Sequence, residues 1–141
     1  MAKPRIYALL QRASQATKRK ADQELLQSVG ITAAQLGVLF CLDGNPGQQQ
    51  QELARTLDVA KSAITSMITR LEAEALVRRE PAPDDARAFQ LFLTPEGQSR
   101  LAAAKLVHRR LNAELYAGFS DTDLALVARF LRQASLTGER S

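Results

Sequence analysis

Six side chains between positions 61 and 70 share a chemistry suited to anionic oxygens. Lys61, Ser62, Thr65, Ser66, Thr69 and Arg70 are hydroxyls and cations, the groups that reach phosphate oxygens and the edges of nucleobases. On a helix from about Lys61 to Ala75 they point away from Ile64, Ile68, Leu71 and Ala75, whose spacing of three and four marks a buried stripe. Taken alone, such a face also fits a solvated amphipathic helix. Arg87 adds a cation at the tip of a Pro/Asp-rich turn, two residues past Asp85. An arginine so placed can enter a narrow, strongly negative minor groove. Asp85 either holds the Arg87 guanidinium in a bidentate pair or makes with it an exposed surface pair worth little.

Other chemistries find few residues. The chain has one His and one Cys, no glycine-rich phosphate loop, no H-E-x-x-H run and no zinc-ligand cluster. His108 sits among Lys105, Arg109 and Arg110 and reads as a partly exposed structural histidine, and Asp84-Asp85 reads as a turn pair. The expectation is therefore no catalysis, no cofactor and no metal. Cys41 lies in the apolar run Leu36 to Leu42, where burial raises a thiol pKa and leaves it inert.

The polar face needs a scaffold, and Gln50 to Arg70 has the pattern of one. Leu53, Leu57, Val59, Ile64 and Met67 can face one core, while Ala54 is small enough to let two helices cross closely. Two short helices joined by a tight turn place the second in a DNA major groove. The turn falls at Leu57-Asp58-Val59, and Asp58 is a tolerated substitute for glycine where φ is positive. Beyond the second helix, Leu76 to Glu80 and Ala88 to Leu93 are β-leaning runs around a turn from Pro81 to Arg87, which reads as a hairpin. Its second run places Phe89, Leu91 and Leu93 on one face.

The remaining elements flank this centre. Pro4 to Val29 reads as a long helix with a stripe at Ile6, Leu9, Leu10, Ala13, Ala16 and Thr17 that resumes at Leu25, Leu26 and Val29, and Gly30 stops it. Its run Lys18-Arg19-Lys20 reads as a solvated face. Thr32 and Gln35 form a capping box, with Ile31 and Leu36 as a hydrophobic staple, for a helix to about Leu42. Asp43 to Gly47 is a loop, and the Gln48 to Gln51 run begins the next helix. Thr94-Pro95 starts a helix reaching about Ala117, with Leu101, Ala104, Val107, Leu111 and Leu115 on related faces, and Gly118 ends it. Ser120 and Asp123 cap a last helix whose apolar side carries Leu124, Val127, Phe130, Leu131 and Ala134, and Thr137 to Ser141 is expected to fray. The first and last helices are too long and apolar for the small head to cover, so a second copy is the simplest partner for them.

Composition bounds the alternatives. A length of 141 residues, with 45% hydrophobic and 24% charged, fits one globular unit. No apolar run approaches a membrane span, the N-terminus shows no signal-peptide core, and a single cysteine suits a reducing cytoplasm. The net charge of +4 fits an anionic partner, but residues 45–93 hold six basic and seven acidic groups. DNA binding must then rest on the placement of Lys61, Arg70, Arg78, Arg79 and Arg87.

Gly30 to Gln35, the helix-turn-helix, Asp85-Ala86-Arg87 and Leu93-Thr94-Pro95-Glu96-Gly97, in that order, resemble the MarR family of bacterial transcriptional regulators over about Ile6 to Leu136. The resemblance implies a mainly α fold with a small β-hairpin wing. The whole of 1–141 would be one unit, with 31–93 as the winged helix-turn-helix and 1–30 and 94–141 as dimerisation helices. It further implies a sequence-specific regulator, expected to be a repressor, acting as a homodimer on a near-palindromic operator in double-stranded DNA. A small aromatic anion would bind where the dimer helices meet the head, lined by Leu10, Ala13, Leu36, Phe40 and Met67, with Arg12 as its charge partner. Two alternatives stand beside this reading. One is a winged-helix protein-interaction module, with Glu72, Glu74, Glu80 and Asp84 facing a protein. The other is an oxidant sensor built on Cys41.

Overall fold

The computed structural model describes residues 2–140. Its elements run α1 (Ile6–Ser28), α2 (Ala33–Gly44), α3 (Gln50–Leu57), α4 (Lys61–Ala73), β1 (Val77–Ala82), β2 (Asp85–Leu93), α5 (Pro95–Tyr116) and α6 (Asp121–Leu136), closing on a 3-10 turn, Thr137–Arg140. Residues through His108 form one compact unit, and those from Arg109 onward form a second. No single helix among the described residues is long and apolar enough to cross a membrane.

The core of the first unit is aliphatic. Leu25, Ile31, Leu39, Leu42, Leu53, Ile64, Ile68, Leu71, Leu76 and Leu91 are all buried, drawn from α1 through β2. The helix starts follow their caps. Thr32 Oγ1 accepts from Gln35 N at 3.1 Å and Gln35 Oε1 accepts from Thr32 N at 2.9 Å, closing the capping box on α2. A second tie has no signal in the sequence pattern: Asp22 Oδ1, from α1, accepts the Ala33 N–H at 2.7 Å.

Between α3 and α4 the chain turns as its residues suggest. Asp58 adopts φ 52°, and Val59 N–H reaches back to the Ala54 carbonyl at 3.0 Å. The end of α4 departs from expectation. Ala75 is not on the buried stripe: it is exposed, at φ 59°, two residues past the helix. There Leu76 N–H bonds to the Leu71 carbonyl at 2.9 Å, the six-to-one bond of a Schellman ending. An alanine in a position that favours glycine carries no mark that distinguishes it from a helix interior.

The hairpin is longer and its turn tighter than the Pro81-to-Arg87 turn suggests. β1 and β2 pair antiparallel from Val77↔Leu93 to Pro81↔Phe89, then Ala82 pairs with Asp85. Only Pro83 and Asp84 lie between the strands, while residues 86–88 are thrown out as an irregularity of β2. Arg87 therefore sits on this bulge, not in the turn itself.

Gln48 is a further correction. It does not begin a helix but bridges to Leu91 on β2, and its buried side chain donates to the Cys41 carbonyl at 2.7 Å. The wing is thereby joined to the end of α2. At the other side of the wing, Thr94 Oγ1 donates to Ala75 O at 2.6 Å and accepts from Gly97 N at 2.9 Å, and Thr94 N donates to Leu76 O at 3.1 Å. Gly97 allows this approach, because a Cβ there would lie 2.0 Å from the Leu76 oxygen.

The early half of the α1 stripe is not buried: Ile6, Leu9, Ala13, Ala16 and Thr17 are exposed, and Leu10 is half-buried. In the second unit, α6 has the Ser120/Asp123 capping box but no buried residue. Phe119, Leu126, Val127, Phe130, Leu131 and Leu136 are all exposed there. Thr137 to Arg140, expected to fray, makes a 3-10 turn, and Ser141 lies outside the described residues.

Candidate nucleic-acid interface

Helix α4 turns Ile64, Ile68 and Leu71 into the core and leaves Lys61, Ser62, Thr65, Ser66, Thr69 and Arg70 exposed. All six lie on one side because the helix is amphipathic, and α3 and the wing hold that side outward. Gln50 Nε2 donates to Thr65 Oγ1 at 2.5 Å, tying the start of α3 to the middle of α4.

The cations of the head divide into two groups. Arg79 pairs with Glu72 at 2.6 Å and lies over the Phe89 ring, Arg78 pairs with Glu80 and stacks on Phe92, and Arg70 faces Glu74 at 3.6 Å. Arg55, Lys61 and Arg87 have no carboxylate partner among the described residues. Three of the six cations and three of the seven carboxylates in residues 45–93 are therefore held in internal pairs. Glu72, Glu74 and Glu80 are turned to arginines of their own chain.

Asp85 does not hold the Arg87 guanidinium. Its Oδ1 accepts the Arg87 backbone N–H at 2.9 Å, which shapes the bulge and leaves the arginine side chain exposed and unpaired. A carboxylate two residues before an arginine reads as an ion pair in sequence, but the local turn reaches the backbone first.

A cleft of about 380 Å³ lies between α3, α4 and β2, lined by Gln49, Gln50, Gln51, Lys61, Ile64, Thr65, Arg79, Ala88, Phe89 and Leu91. None of the residues expected to hold an aromatic anion lines it. Of those, Leu36 is buried in the core, Leu10, Phe40 and Met67 are half-buried, and Arg12 and Ala13 are exposed. Phe40 packs edge-on to His108 at 5.7 Å, with Lys105 over its ring. Cys41 is half-buried, and burial pushes its thiol pKa up.

The MarR family model matches residues 31–89. A protein assigned to transcriptional regulation of the hcr operon in Thauera aromatica is 31% identical over 132 residues, covering 91% of this chain and 80% of that protein. The chain belongs to the MarR family. The HTH-type transcriptional repressor MdtR of Bacillus subtilis (strain 168) is 30% identical over 137 residues, 93% of this MarR-family chain and 88% of the relative. Wild-type MarR from E. coli, in its apo form, superposes with a TM-score of 0.79 at 28% identity, over 95% of this chain and 98% of that one. The transcriptional repressor CouR, bound to a 23-mer DNA duplex, superposes with a TM-score of 0.77 at 29% identity, over 96% and 98% of the two chains. As a MarR-family transcriptional regulator, this chain carries a winged helix whose exposed helical face is built from the residues singled out by chemistry alone.

Gln50 and Gln48 escape sequence reasoning as supports, because a run of four glutamines offers no pattern to separate a buried amide from a solvated one. The pairing of Arg79 with Glu72 escapes it because the partners lie in different elements, seven residues apart.

Proposed function

We propose that the protein is a homodimeric repressor that binds a near-palindromic operator. α4 enters the major groove through Lys61, Ser62, Thr65, Ser66, Thr69 and Arg70, and the wing bulge carries Arg87 to the adjacent minor groove. The observation that carries this reading is the coincidence of an exposed hydroxyl-and-cation face on α4 with exposed cations, Lys61 on that face and Arg87 on the wing, that have no carboxylate partner among the described residues. Ion pairing within the head occupies Glu72, Glu74 and Glu80, three of the four carboxylates that a protein-interaction module would present, and leaves Asp84 exposed.

The dimer is supported by apolar surface that neither unit covers within itself: Tyr7 and Leu9 on α1, and Phe119, Phe130 and Leu131 in the second unit. Repression is supported by the named activity of MdtR, similar over nearly the whole chain. Relief by an aromatic anion requires that the ligand prefer one spacing of the two heads. Of the expected residues, the half-buried Leu10, Phe40 and Met67 and the exposed Arg12 and Ala13 are open enough to meet it, and Leu36 is buried.

Selection of bound duplexes from a random library, with sedimentation in parallel, tests this directly. The expected result is enrichment of an inverted repeat with half-sites about one helical turn, roughly 34 Å, apart, bound by two chains. A monomer at micromolar concentration, or no enrichment, would overturn the reading. Adding benzoate to the selected complex tests the effector: weaker binding supports it, and unchanged binding across millimolar concentrations removes aromatic carboxylates as a class.

A further inference from the structure

The hydroxyls along α4 are not equivalent. Thr69 Oγ1 donates its proton to the Thr65 carbonyl at 2.8 Å. Thr65 Oγ1 donates to the Lys61 carbonyl at 2.8 Å and also accepts the Gln50 amide at 2.5 Å. A hydroxyl has a single proton to give, so neither threonine can donate to a phosphate or a base without first breaking a bond within the helix. Ser62 and Ser66 have no hydrogen-bond partner among the described residues, and their protons are free.

The two threonines lie about 40° apart around the axis, and their contacts separate them. At about 100° per residue, Thr69 falls about 20° from Ser62 and about 60° from Ser66 around the axis, so it shares their outward face. Thr65 is turned to the flank, where it meets Gln50 and the cleft. With its hydroxyl turned back to the Thr65 carbonyl, the group that Thr69 leaves for an outside partner is its methyl. In the major groove the apolar feature of a base edge is the thymine 5-methyl, and a threonine methyl is a recognised partner for it.

We propose that Thr69 is a specificity-determining residue that reads a thymine methyl through its own methyl, while Ser62 and Ser66 do the donating. The inference rests on α4 being the helix that enters the groove. It implies that each half-site carries a thymine opposite Thr69.

The test uses the full-length protein and a duplex that it selects. Each half-site thymine is replaced in turn by deoxyuridine, which lacks only the methyl, and affinity is measured by fluorescence anisotropy for the wild type, Thr69→Val and Thr69→Ser. The expected result is one position per half-site at which uracil weakens wild-type binding about fourfold, the value of one buried methyl. Thr69→Val should keep both the wild-type affinity, within about twofold, and that sensitivity to uracil. Thr69→Ser, which removes the methyl from both protomers of the dimer, should bind the thymine duplex up to about fifteenfold more weakly and no longer distinguish uracil at that position. If Thr69→Val weakens binding while Thr69→Ser does not, the hydroxyl is the reading group, and if the two variants respond alike to every uracil, Thr69 reads no methyl; either result overturns the proposal. Failure of the underlying reading has a separate signature: the wild type selects no duplex, or its binding is indifferent to Ser62→Ala, Ser66→Ala and salt.

Discussion

Replacing Gly97 with alanine sets two effects of opposite sign against each other. Gly97 is the third residue of α5, and helix propensity alone makes alanine better there by up to about 1 kcal/mol. The local geometry opposes this. An added Cβ lies 2.0 Å from the Leu76 carbonyl oxygen and 3.0 Å from its carbon, both backbone atoms that cannot rotate aside. A carbon and a carbonyl oxygen approach no closer than about 3.3 Å, so the first turn of α5 must retreat from the start of β1 by more than an ångström. That movement strains the Thr94 N–Leu76 O bond of 3.1 Å and the Thr94 Oγ1–Ala75 O bond of 2.6 Å. Two hydrogen bonds at about 1 kcal/mol each, with about 1–3 kcal/mol of overpacking, outweigh the propensity gain and leave a net loss of about 2–4 kcal/mol. Urea denaturation followed by circular dichroism, at one fixed protein concentration so that any dimerisation is held constant, measures it. Gly44→Ala, at the end of α2, is the control, since nothing lies within 4 Å of the added carbon and helix propensity alone should make the change neutral or stabilising by up to about 1 kcal/mol. A Gly97→Ala variant within about 1 kcal/mol of that control would refute the packing argument.

Three further outcomes follow from local geometry. Ala75→Gly should stabilise the protein by about 0.5–1 kcal/mol in the same denaturation assay, because alanine at φ 59° carries a steric cost that glycine does not. Gln48→Ala should destabilise by about 1–2 kcal/mol, since it removes a buried amide bonded to the Cys41 carbonyl, which retains the Asn45 N–H as its other donor. The Cys41 thiol pKa is raised by burial above its ordinary value of 9.0. The protonated form is thus favoured by folding: this contribution is complete below pH 9 and is lost as pH rises through the folded pKa. Stability should fall more steeply above pH 9 in the wild type than in Cys41→Ala, and equal slopes would show that the thiol is not desolvated.

The parts of this protein that are legible in its sequence are those governed by local chemistry. Thr32 with Gln35, and Ser120 with Asp123, announce helix starts because each capping group lies three residues from its partner. The face of α4 is legible because a period of 3.6 separates Ile64 and Ile68 from Ser62, Ser66 and Thr69. What escapes depends on packing between elements or on a choice among equal local options. Ala75 looks like one more turn of helix, and the end is marked by its φ of 59° and the Leu76–Leu71 bond, neither of which its side chain announces. Gln48 and Gln50 are chemically identical neighbours, yet one is buried against Cys41 and the other holds Thr65. Asp85 could serve a guanidinium or a backbone N–H, and the bulge decides for the latter. The net charge of the head also misleads, since counting charges does not reveal that Arg70, Arg78 and Arg79 are already paired.

That division of the cations leads to the most direct test of the proposed DNA-reading surface. Affinity for a selected duplex is measured across a series of salt concentrations for the wild type, Arg87→Ala and Arg78→Ala. Removing one cation from a phosphate lowers the slope of log affinity against log salt by about 0.9, so a symmetric dimer without Arg87 should show a slope shallower by up to about 1.8. Arg78→Ala, whose guanidinium is held by Glu80 and Phe92, should change the slope by less than half of that. An unchanged slope for Arg87→Ala alongside a reduced slope for Arg78→Ala would contradict the placement of the wing and the reading built on it.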